Sequence, residues 1–227
     1  FANDLCAGGF GCHVIGPDKY PLERLMPEPA GRALQSALES IGAHFHLETV
    51  VTSVDHDNGA YRVDLNNGVK ITADLVLSAA GLIPNTALAK DAGIATNRGI
   101  VVDRCLRTSA ANVYALGDCV EIESQVMPYV MPIMYTARAL AATLTGTPTE
   151  VTLPAMPVAV KTPVHPVVVS PPAPNATGSW HCEVLDDGGV KALFKSDDDA
   201  LLGIALTGAS AVKQKVILQR ELPPVMA

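Results

Sequence analysis

The apolar residues of this chain change their period twice between positions 12 and 68, and few folds accept that order. A short apolar run, CHVIG (Cys12 to Gly16), is bounded by glycine and proline, as a buried parallel strand is. From Pro29 to Gly42 the spacing lengthens. Leu34, Leu38 and Ile41 recur at i, i+4 and i+7, and Gly42 is placed to close a helix. The period then falls to two. Asp57-Asn58-Gly59 and Asn66-Asn67-Gly68 are hairpin signals around alternating runs such as Tyr61 to Leu65, which predicts three short antiparallel strands. A strand-helix alternation followed by a meander predicts a nucleotide-binding α/β unit.

On either side of this block the pattern is less regular. FANDLCAGGF reads as the middle or end of a helix with no start signal, and the first residue is Phe1, so the chain reads as a fragment. LVLSAAG (Leu75 to Gly81) reads as a fully buried strand, with a turn forced by Pro84-Asn85. A second block, from Gly99 to about Gly146, contains NVYALGDCVE and a helix in PIMYTARALAATLTG. Met134, Ala137, Leu140, Ala141 and Leu144 give that helix an apolar face, and Pro132 suits its first turn. Seven prolines then fall within 21 residues, Pro154 to Pro174. The valines between them (PVAVKTPVHPVVVS) predict rigid edge strands rather than a disordered linker. A small α+β unit follows, with a turn at Asp186-Asp187-Gly188-Gly189, a strand near Leu201 to Leu206 and a helix from about Ala209 to Arg220.

Composition removes several functional classes. Hydrophobic residues make up 48% of the 227 and charged residues 17%, enough apolar material for a substantial core. No apolar run reaches the length of a membrane span and no basic-then-apolar leader opens the chain, which predicts a soluble, cytoplasmic protein with no membrane partner. A net charge of −7 argues against nucleic acid as a partner. The five cysteines show neither a CxxC pair nor ligand spacing, so no disulfide framework and no metal site is predicted. His44 and His46 alternate on a predicted strand and share a face, but no third ligand is spaced nearby, so they read as exposed strand histidines. Cys119 reads as a small buried hydrophobe, and Asp197-Asp198-Asp199 as a solvated turn.

The chemistry-bearing string is TSAANVYALGDC, Thr108 to Cys119. A small buried strand, Val113 to Leu116, ending in Gly117-Asp118 would set a carboxylate at the carboxyl edge of a parallel sheet, where open α/β folds bind ligands. Glycine there admits a bulky ligand, and the carboxylate accepts a hydrogen bond from a sugar or ribityl hydroxyl. T-x5-Y-A-L-G-D resembles the second FAD-binding motif of the pyridine-nucleotide-dependent flavoprotein reductases, and AAGLIPN (Ala79 to Asn85) resembles their crossover segment, in the same order and separation. NRGIVVDRCLRTS, PVAVKTP, VVVSPP and the tail segments ALTGA and ELPPVMA extend the likeness to the rubredoxin reductases over nearly the whole chain.

That resemblance implies a FAD/NAD(P)-binding α/β flavoprotein reductase fold, Rossmann-like with an antiparallel meander, plus a small carboxy-terminal α+β domain. Residues 1–78 would be the remainder of the NAD(H) domain, 79–150 the returning half of the FAD domain and 151–227 the carboxy-terminal domain. Hydride would pass from NADH to FAD, and single electrons from FAD to rubredoxin, with no catalytic acid, base or nucleophile from the protein. Asp118 would bind the ribityl chain and Gly117 permit the contact. Val130, just before a helix start that faces the flavin's pyrimidine edge, would offer a backbone contact. Lys161, in AVKTP, would bring a cation to the ring.

The two glycine-rich loops of that family do not occur in these residues. GGFGC (Gly8 to Cys12) lacks a third glycine and precedes a strand, so it is no pyrophosphate cradle, and the fragment alone is expected to bind FAD weakly or not at all. The place where an acid would accept the NADH ribose falls near Gly16, beside Asp18, so a preference for NADH over NADPH is implied by the resemblance alone; Lys19 and Arg24 are cations that a 2′-phosphate could use. A reductase for flavorubredoxin or for an oxygenase ferredoxin would share every motif, and a non-catalytic NADH-sensing flavoprotein would share the scaffold.

Overall fold

A computed structural model describes all 227 residues, Phe1–Ala227. They gather into two compact units, one joining Phe1–Leu77 to Pro157–Pro223, the other joining Ser78–Met156 to Pro224–Ala227.

The first unit opens with helix α1 (Ala2–Ala7), strand β1 (Cys12–Ile15), helix α2 (Glu28–Ser40) and strand β2 (Ala43–His46). Strands β1 and β2 pair in parallel, Cys12 opposite Ala43, which the crossover through α2 makes possible. Leu34 and Leu38 are buried on α2, and Gly42 follows its end at φ +100°, a conformation that favours glycine. The meander follows as β3 (Val51–Asp57), β4 (Ala60–Leu65) and β5 (Lys70–Ala73), antiparallel throughout. Asn58 and Gly59, both at positive φ, make the first hairpin turn. Alternation along β4 buries Val63 and Leu65, which pack with Ile71 against Ile15 of β1.

Leu75 to Gly81 departs from expectation. The stretch belongs to no strand, and Leu75 and Leu77 are 74% and 55% exposed. A buried parallel strand needs a ladder partner and covered faces. No strand of this chain pairs with it, so its apolar character alone does not make it a strand.

The second unit contains helix α3 (Ala87–Asp91), strands β6 (Ile100–Val102), β7 (Val120–Ile122) and β8 (Gln125–Val126), and helix α4 (Val130–Leu144). Strand β7 runs parallel to β6 and antiparallel to β8. Its core joins Leu106, Val120, Ile122, Ala139 and Leu140 to Val151, Leu153 and Met226. The last of these arrives through an isolated bridge between Leu153 and Met226.

Helix α4 turns a different face inward from the one its apolar residues predict. Pro132, Thr136, Ala139, Leu140 and Thr143 are buried, whereas Met134 and Leu144 are 48% and 61% exposed. Threonine is tolerated inside because its hydroxyl finds a backbone partner. Thr136 Oγ1 donates to the Pro132 carbonyl at 2.9 Å, and Thr143 Oγ1 accepts from the Thr149 N–H at 3.0 Å.

The chain then completes the first unit with β9 (Val158–Val160), β10 (Val167–Ser170), β11 (Ser179–Val184), β12 (Val190–Lys195) and β13 (Leu201–Thr207), followed by two short helices, α5 (Ala209–Val212) and α6 (Lys215–Gln219). The five strands form one antiparallel sheet in the order β11-β12-β13-β10-β9. Of the valine runs read as edge strands, only β9 is one; β10 is interior, and Pro163 and Pro166 sit in the connection between them, where no ladder N–H is needed. The sheet buries Val167, Val169, Val190, Ala192 and Ala205 against Met26, Ala30, Leu34 and Leu38. The predicted last helix divides at Lys213 and Gln214, which keep right-handed helical angles.

Candidate functional site

Gly117 and Asp118 do not end a strand. Val113 to Leu116 forms only a bridge between Tyr114 and Arg107, and Val113 and Leu116 are 40% and 36% exposed. A strand there would need a parallel neighbour, and none is present. Gly117-Asp118-Cys119 instead forms the turn that enters β7, so the carboxylate stands at the amino end of a parallel strand, not at its carboxyl end.

What the turn offers a ligand is nonetheless specific. Gly117 has φ +98°, which a side chain would strain, and no atom stands within 4 Å of where its Cβ would be. Asp118 is exposed, and its carboxylate has neither an ion-pair nor a hydrogen-bond partner within the protein. Gly117 lines one small concavity with Val120 and Met127 on one side and Pro132, Ile133 and Thr136 on the other, which places the turn beside the first turn of α4. That helix begins two residues before Pro132. Tyr129 occupies the N-cap position without a side-chain hydrogen bond, so the first N–H groups of α4 are uncapped by protein side chains. Val130, the first helical residue, is 70% exposed.

These features fit one edge of a flavin: an acceptor, a glycine with open space, and uncapped helical donors whose dipole favours negative charge. Lys161 lies in the first unit, just after β9, exposed and without an ion pair. The loop around it is held by the Thr162 hydroxyl, which donates to the His165 carbonyl at 2.8 Å. His165 is buried and its Nε2 has no hydrogen-bond partner. Burial pushes its imidazole below the usual histidine range, and Asp187 opposes that only in part.

Two groups escaped sequence reasoning. Glu121 is buried in β7, accepting from Asn97 Nδ2 at 3.0 Å and from the Gly99 N–H at 2.9 Å. The Asn97 bond above all holds its carboxyl below the usual carboxylate range. Only the pairing of β6 with β7 reveals that role. His13 is the other. The parallel register sets it opposite His44, and its ring stacks 5.2 Å from the rings of both His44 and His46, with its Nδ1 2.9 Å from His46 Nε2. No group of three or more His, Cys, Asp or Glu residues is arranged to hold a metal ion. Cys119 is half-buried against the core of the second unit. No helix is long and apolar enough to cross a membrane.

Residues 5–142 match the family model described as pyridine nucleotide-disulphide oxidoreductase, and residues 150–222 match that of the rubredoxin binding C-terminal domain. The chain is 49% identical over all 227 residues to a rubredoxin-NAD(+) reductase of Alcanivorax borkumensis, covering 59% of that protein. It is 44% identical over 151 residues to a nitric oxide reductase FlRd-NAD(+) reductase of Aliivibrio fischeri, a match spanning 66% of this chain and 40% of that one. The crystal structure of the ferredoxin reductase for the CYP199A2 system from Rhodopseudomonas palustris superposes with a TM-score of 0.84 at 23% identity, covering 98% of this chain and 57% of that one. The chain therefore has a flavoprotein-reductase fold and spans less than two thirds of the length of these proteins.

Proposed function

Because the chain belongs to the pyridine nucleotide-disulphide oxidoreductase family, we propose that the whole protein transfers electrons from NADH through FAD to rubredoxin. The observation that carries this is the order of two matches along one polypeptide, a reductase segment over 5–142 and a rubredoxin-binding segment over 150–222. In this reading residues 1–78 serve the NAD(H) domain, 79–150 the FAD domain and 151–227 the carboxy-terminal domain, and the protein works in the cytoplasm.

FAD, when bound, supplies two-electron acceptance from the nicotinamide and one-electron release to the acceptor. The protein's part is to bind and to tune. Asp118 accepts a hydrogen bond from a ribityl hydroxyl, and Gly117 keeps the approach clear. Val130 donates its backbone N–H at the start of α4, where partial positive charge stabilises electron density on a neighbouring acceptor. Lys161, by the family resemblance, would bring a cation to the flavin ring. The absence of an ion pair leaves its charge uncompensated within the protein.

The likeness to the Aliivibrio fischeri protein favours a second acceptor, flavorubredoxin, since every residue named here would serve either. Anaerobic mixing with NADH tests both readings. The intact flavin-loaded protein is expected to bleach at flavin wavelengths and, on addition of rubredoxin, to recover as rubredoxin is reduced. Bleaching followed by transfer to flavorubredoxin but not to rubredoxin would select the second reading. Bleaching without transfer to either would refute both and leave an NADH sensor.

A further inference from the structure

We propose that the exposed face of α5 and α6, carrying Lys213 and Arg220 around Val216 and Ile217, is where the one-electron acceptor docks, through an acidic surface of its own. The inference rests on the functional reading above and locates its partner site.

The segment matched to rubredoxin binding, 150–222, contains six cations. Two are committed to ion pairs, Lys191 with Glu183 at 3.7 Å and Lys195 with Asp199 at 2.7 Å. Lys161 is assigned above to the flavin. The three that remain, Lys213, Lys215 and Arg220, fall within eight residues and have no ion-pair partner. Residues 209–220 contain no acid at all, in a chain whose net charge is −7. At the borders of this stretch, Asp187 accepts from the Ser210 N–H at 2.9 Å, and Glu221 is exposed and lines a separate groove with Lys195 and Asp199.

Helical angles persist through Lys213, Gln214 and Arg220. The Leu218 and Arg220 N–H groups bond to the Gln214 and Ile217 carbonyls at 3.1 and 3.2 Å. Lys213, Val216, Ile217 and Arg220 therefore recur at spacings of three and four and form one stripe. Leu218, buried at 8% exposure, anchors the opposite side, whereas Val216 and Ile217 stand 62% and 65% exposed. An apolar pair flanked by two unpaired cations is complementary to a small protein with an acidic rim and an apolar centre. Redox partners typically meet over small interfaces in which charge sets the rate of encounter.

Steady-state rubredoxin reduction by the intact flavin-loaded protein, followed against ionic strength, tests the proposal. The K213E/R220E variant is expected to raise the KM for rubredoxin by about tenfold and to flatten its salt dependence. Its NADH-ferricyanide activity should be unchanged, since ferricyanide needs no docking surface. An unchanged KM and salt slope would overturn the proposal. Should the charge-reversed variant fail to fold, K213Q/R220Q, at the same two exposed positions, is expected to give the same direction with a smaller change, and no change would again overturn it. Failure of the unsubstituted protein to reduce rubredoxin would overturn the functional reading, and this site with it.

Discussion

Glu121 accepts the Gly99 N–H at 2.9 Å, and Gly99 lies so close to β7 that a Cβ on it would stand 2.8 Å from the Cys119 carbonyl oxygen. One buried carboxylate and one missing side chain thus fix the strand that follows the Gly117-Asp118 turn.

Gly99→Ala should therefore force the backbone beside Cys119 to move, and Glu121→Ala should strand the buried Gly99 N–H and release the exposed Asn97 amide. Each is expected to cost about 1–3 kcal/mol. The measurement is chemical denaturation. Glu121→Ala at wild-type stability would show that the carboxylate does not hold the turn.

Because the folded state holds His165 below its ordinary range, the unfolded chain binds protons first as pH falls. Stability should then rise with pH through the window that ends at the unfolded value of 6.5, and be fully present above it. His13, depressed by burial and by the rings of His46 and His44, adds in the same direction. His165→Gln should reduce the slope of stability against pH in that window by at most about 1.4 kcal/mol per pH unit. An unaltered slope would place the proton uptake elsewhere.

Lys161→Met removes an exposed cation and should lower the flavin midpoint potential by roughly tens of millivolts, less at high salt. Spectroelectrochemical titration reads this directly. A potential that does not move would show that Lys161 does not act on the flavin.

Much of the fold was legible because periodicity reports local geometry. Leu34 and Leu38 of α2, the Asn58-Gly59 turn and the β13 strand are each decided by residues within one element. Where partners decide, the sequence misled. Leu75 to Gly81 and Val113 to Leu116 are apolar enough for strands, but a strand exists only beside another, and neither has one here. The inward face of α4 was misread because Thr136 and Thr143 satisfy their hydroxyls on nearby backbone and enter the core, while Met134 stays outside. Of the site, the identity of Gly117 and Asp118 came from a motif. Their position at the amino end of β7, the buried Glu121 behind them and the unpaired stripe on α5 and α6 depend on contacts distant in sequence.

We propose that Asp118 and the uncapped start of α4 hold the flavin. The most direct measurement is the FAD affinity of the intact protein against its Asp118→Ala variant, by equilibrium titration of the apoprotein. Loss of a hydrogen bond to a charged acceptor predicts a Kd raised about 10- to 100-fold, with the fold retained. Equal affinity in the two proteins would contradict the account.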